Sequence, residues 1–130
     1  MEQIKNNLGN VIPDNIDNAI KYLAHLKKEI VYPILKHSEG SFLIQCQLVL
    51  GNDIIKKWKL KEKKEEKKNN IIKEFNSLGI YESSDMSGIM ITGMQRHLNK
   101  NPVNMEQIVS VYKKIIENNE ENSFVKKENL

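Results

Sequence analysis

At 130 residues the chain has room for one domain with a modest core. A composition of 39% hydrophobic and 28% charged residues excludes wholesale disorder, and with only 6% aromatics the core must be built from Ile, Leu, Val and Met. The net charge of +3 is unevenly spread: Lys56 to Lys68 holds eight lysines against three glutamates, making that run +5 and leaving the remainder at −2.

Met1 to Asn7 includes Lys5, Asn6 and Asn7 and has no apolar h-region, so no secretory leader is expected, and residues 1–12 are assigned to an N-terminal arm. The segment Pro13-Asp14-Asn15-Ile16-Asp17 predicts a helix start with Asp14 as N-cap. Ile16, Ala19, Ile20, Leu23, Leu26 and Ile30 then form a helical stripe, and Pro33 predicts its end near Val31. A turn is expected at His37–Ser41. Phe42–Leu50 has a length that fits either a buried strand or a short buried helix, with helix favoured by its helical neighbours. Interrupted by Gln45 and Gln47, it falls far short of the ~20 apolar residues a membrane span requires. Gly51-Asn52-Asp53 should break the chain and cap a new helix over Ile54–Leu60.

After the lysine run, Asn70–Leu78 is expected to be helical, with Ile71, Ile72, Phe75 and Leu78 on one side and Gly79 as the C-terminal glycine. Ile80–Thr92 can form a small β-hairpin around Ser83–Gly88. The competing reading is a helix carrying Met86, Met90, Met94 and Leu98, which Gly88 and Gly93 weaken by ~1 kcal/mol each. The final helix starts from Asn104 as N-cap, with Gln107 completing a capping box, and shows Met105, Ile108, Val109, Tyr112, Ile115 and Ile116 as an apolar stripe. The expected architecture is mainly α: one compact helical domain over 13–118, with a disordered tail at 119–130.

The chemistry-bearing residues are sparse. His25, His37 and His97 lack metal-ligand spacing, and Cys46 stands alone in an apolar stretch, as a core thiol would in a reducing compartment such as the cytoplasm. There is no phosphate-binding glycine loop and no nucleophile elbow. Asp14/Asp17 and Glu65/Glu66 lie in helix-capping and solvated settings that would not tune a carboxyl for catalysis. No enzyme, cofactor or metal is expected.

Residues 41–98 can be laid out as a module that resembles a winged helix-turn-helix. Phe42–Leu50 and Asp53–Leu60 would be its first two helices, Lys67–Leu78 its recognition helix and Ile80–Thr92 its wing. Phe75-Asn-Ser-Leu-Gly-Ile-Tyr81 looks like the exit from the recognition helix, and Ile91-Thr92-Gly93 is similar to the strand-to-helix exit. Ile54, Trp58 and Leu60 match the first apolar positions. The next two fall on Glu65 and Lys68, while Ile72 and Phe75 have the right spacing seven residues later, so the turn would be longer than standard.

The resemblance implies duplex DNA as partner. Lys67, Lys68, Asn69, Asn70 and Lys73 would face the groove, and Lys56, Lys57, Lys59, Lys61, Lys63 and Lys64 would add phosphate attraction. Having Arg96 as the sole arginine equips the chain poorly for dense base readout. The competing reading is an all-helical module that binds another protein, as inhibitors, immunity proteins and adaptors do. In either case Ile108, Tyr112, Ile115 and Ile116 are the candidate interface, including that of a homodimer, and no membrane partner is expected. A hairpin at 80–92 favours DNA; an unbroken helix from Asp85 to Leu98 favours the protein-binding module.

Overall fold

The first helix, α1 (Ile16–Val31), begins one residue later than Asp14 would set it, because the side chain of Asn15 accepts the backbone N–H of Asn18 and makes Asn15 the N-cap. The computed structural model describes residues 12–65 and 68–128, with side chains described as far as Asn119 apart from Glu65. Ile16, Ala19, Ile20, Leu23 and Leu26 face the core as the stripe predicts, whereas Ile30 is 52% exposed. Pro33 opens a single 3₁₀ turn, Tyr32–Ile34, which ends α1.

Ser38 caps α2 (Glu39–Cys46), so the predicted turn at His37–Ser41 is already the start of a helix. The ambiguous Phe42–Leu50 segment is helical. It does not break at Gly51: a wide π turn, Gln47–Gly51, leads directly into α3 (Asn52–Lys57). The reason lies in the buried row. Phe42, Cys46, Leu50, Ile54 and Trp58 are all buried and recur every fourth residue. At ~3.6 residues per turn such a row would wind steadily off the core. One turn of i→i+5 bonding absorbs the excess and turns Leu48 and Val49 outward.

From Trp58 to Asn69 the chain turns back, with a 3₁₀ turn at Lys63–Glu65. Helix α4 (Asn70–Ser77) buries Ile71, Ile72 and Phe75 and ends at Gly79, whose φ of 86° lies in the left-handed region expected of a C-terminal glycine.

The hairpin expected at 80–92 is not formed. Ser83–Leu98 is the long helix α5, and no strand occurs among the described residues. Every residue from Met86 to Gln95 is buried, because α5 runs through the centre with α1, α2 and α6 packed around it. A helix enclosed on all sides has no polar stripe, so its sequence lacks the amphipathic signature that marks surface helices. The two glycines that count against a helix permit close packing instead. A Cβ at Gly88 would collide with the Tyr112 hydroxyl, and one at Gly93 with the tip of Ile20.

Helix α6 (Met105–Glu128) continues helical backbone past the expected boundary at 118. Asn104 precedes it with φ 49°, and its carbonyl accepts from the N–H groups of Gln107 (3.1 Å) and Ile108 (3.3 Å). The arm at 1–11 and the last two residues lie outside the described residues.

Candidate interaction surface

The lysine run folds as a basic rim. Lys56 and Lys57 end α3, Lys59 adopts φ 55°, and Lys61, Lys63, Lys64, Lys68 and Lys73 are all exposed; Lys67 lies outside the described residues. The proposed groove-reading asparagines separate. Asn70 is exposed, but Asn69 is only 2% exposed and cannot face a groove. Its Oδ1 accepts the N–H groups of Ile71 (3.0 Å) and Ile72 (3.3 Å), and its Nδ2 donates to the carbonyl of Trp58 (2.8 Å). It caps α4 and ties that helix to the end of α3.

On the opposite side of the α2–α3 segment, two helices flank α5. Glu39 at the start of α2 bonds Arg96 near the end of α5, while Gln47 one residue past α2 bonds Ser84 and Ser87 near the start of α5. Arg96 also donates to the Val103 carbonyl ahead of α6, and Tyr112 meets Gly88 further along. Helices α2 and α6 therefore both run antiparallel to α5, and a trough of about 330 Å³ lies between them. Gly40 and Leu43 form one wall, Val111 and Ile115 the other, and Thr92 and Ile108 the floor.

The four predicted interface residues divide accordingly. Ile108 is buried in the core, Tyr112 and Ile116 are partly buried, and Ile115 is 50% exposed. Beside the trough, Ile44 and Leu48 are 66% and 81% exposed, an aliphatic ridge one turn apart.

Electrostatics mark the ends of the trough. The Arg96 guanidinium bonds both carboxylate oxygens of Glu39, at 2.7 and 3.0 Å, and holds that carboxyl below the usual range. Burial raises the Tyr112 hydroxyl, the charge of Asp85 adds to this, and a bond with Thr92 opposes it. Asp85 is itself raised by burial and by Glu82. Burial pushes the Cys46 thiol up to about 11, the opposite of what a nucleophile requires. Among the described residues, no three His, Cys, Asp or Glu side chains come together as metal ligands, and no helix is long and apolar enough to cross a membrane.

A family described as a domain of unknown function, DUF6794, matches residues 12–98. The chain belongs to this family. No curated protein and no solved structure matches it. The DUF6794 match takes in α1 to α5 and the whole lysine run, whereas α6 lies beyond it. One wall of the trough is therefore DUF6794 sequence and the other is not.

Ile44, Leu48 and Val111 are the surface residues that sequence reasoning missed. A signal was present: seven of the nine residues in Phe42–Leu50 are apolar or Cys, more than one side of a helix can bury.

Proposed function

We propose that this DUF6794 protein is a non-catalytic, all-helical module that binds another protein through the face shared by α2 and α6. The observation that carries this reading is the unbroken helix over Ser83–Leu98, which occupies the stretch where a DNA-binding wing would have to be. The aliphatic ridge of Ile44 and Leu48 beside the α2–α6 trough supports it, since isolated exposed apolar residues are ordinary but a ridge bordering a concave apolar wall is a usual contact surface. The lone buried thiol fits a cytoplasmic setting.

The test is co-purification of the tagged chain from its own host, comparing wild type with Leu48→Glu and with a variant carrying glutamine at Lys61, Lys63 and Lys64. A stoichiometric protein retained by wild type and lost with Leu48→Glu is the expected result.

Binding to duplex DNA is the second reading, favoured by the exposure of Lys56, Lys57, Lys59, Lys61, Lys63, Lys64, Lys68 and Lys73. It requires a clearly negative slope of log affinity against log salt. Electrophoretic shifts at low and moderate salt measure it, and absence of a shift at micromolar protein in low salt rejects it.

A further inference from the structure

Resting on the protein-binding reading, we infer that the α2–α6 trough receives an amphipathic helix of the partner, one with aliphatic residues at successive helical turns and acidic residues at one end. Three features of the surface carry this. The trough is walled by Leu43 on one side and by Val111 and Ile115 on the other, and the Ile44–Leu48 ridge extends the α2 wall outward. A segment laid in such an apolar channel needs partners for its own backbone. No strand, and so no sheet edge, is available among the described residues to supply them. A helix satisfies its own backbone bonds and presents one apolar face, so it is the occupant the channel suits.

Charge sets its polarity. The single carboxylate at the near end, Glu39, is already engaged by Arg96. In the other direction the lysines accumulate on both sides: Lys56 and Lys57 continue the α2–α3 segment, and Lys113 and Lys114 flank Ile115 on α6, all four exposed. An occupant with carboxylates at that end is attracted and one with lysines is repelled, which fixes its direction in the trough.

Gly40 provides a substitution that separates binding from folding. It lies in the first turn of α2 on the trough wall, and a Cβ there meets nothing within 4 Å. Gly40→Leu therefore fills the channel without displacing any neighbour and replaces glycine by a better helix former.

The experiment is selection from a displayed library of 16-residue helices, with leucine fixed on one face and Asp, Glu, Lys, Asn or Ala varied elsewhere, against the full chain. Enriched peptides are expected to gather Asp and Glu at one end. Their dissociation constants should rise at least tenfold for Gly40→Leu and for Leu48→Glu, with both variants melting within a few degrees of wild type. The inference is overturned if no peptide is enriched, if lysine-ended peptides are enriched equally, or if Gly40→Leu binds as well as wild type. A host protein lost with Leu48→Glu that meets the surface through something other than a helix overturns the helix inference while leaving the protein-binding reading intact. Wild-type self-association abolished by Leu48→Glu overturns it in favour of a second copy of the chain.

Discussion

Asn69 illustrates how a side chain's role depends on what lies next to it in space. In sequence it is one of two asparagines after a lysine run, a plausible adenine reader. In the fold it accepts two N–H groups at the start of α4 and donates to the Trp58 carbonyl. Asn69→Ala should lower stability by ~1–3 kcal/mol, the cost of a lost N-cap together with an unpaired carbonyl, as measured by urea denaturation. A role confined to DNA contact predicts no change in the midpoint.

Cys46 gives a second residue-level expectation. Its folded thiol holds its proton to about 11 against an ordinary value of 9.0, because burial disfavours the thiolate. The unfolded chain therefore ionises first, and stability should fall as pH rises from about 9 towards 11. Tyr112, also raised by burial, acts in the same direction at the upper end of that window. Denaturation midpoints across this range check the sign. At pH 8 the native thiol should resist a thiol-specific reagent and react only on unfolding.

Among the elements, α5 carries the main correction. Glycine within a helix is ordinarily a defect, and Gly→Ala there ordinarily stabilises. At Gly88 the added methyl would strike the Tyr112 hydroxyl and crowd Gln47. Gly88→Ala should therefore destabilise by ~1–3 kcal/mol, the usual range for overpacking. Tyr112→Phe, which removes the obstructing oxygen, should recover part of that loss in the double variant. Thermal melts of the two singles and the double give the coupling. An additive result would mean that α5 and α6 are not in contact at this point.

Taken as a whole, the molecule separates residues that hold it together from residues that are free to bind. Ile108 and Ile115 belong to one predicted stripe on α6, yet Ile108 is 2% exposed and Ile115 is 50% exposed. Ile108→Asp should abolish folding or cost ~3 kcal/mol or more by burying an unpaired charge. Ile115→Glu should leave the melting temperature within a few degrees of wild type, as most surface substitutions do. Circular dichroism melts of the two variants make the comparison. If Ile115→Glu proves as damaging as Ile108→Asp, α6 is buried on both of these positions and the trough is not an open surface.

Local signals were sufficient wherever an element has one wet and one dry face. The apolar spacing of α1, the Gly79 stop after α4 and the start of α6 were all legible, because amphipathic periodicity and end residues are written in neighbouring positions. The helical character of the whole followed from them. Where burial is complete or the geometry departs from regularity, sequence proximity carries no such record. The encirclement of α5 leaves no polar face, so a hairpin competed on equal terms, and the two glycines are explained only by Tyr112 and Ile20 arriving from other helices. The fourth-residue row from Phe42 to Trp58 required a π turn to remain inside, and that turn, not the composition of Phe42–Leu50, turned Leu48 and Val49 outward. The trough exists only because α2 and α6, some sixty residues apart, lie parallel along the same central helix. That arrangement depends on contacts distant in the chain, which is why tertiary structure alone decided it.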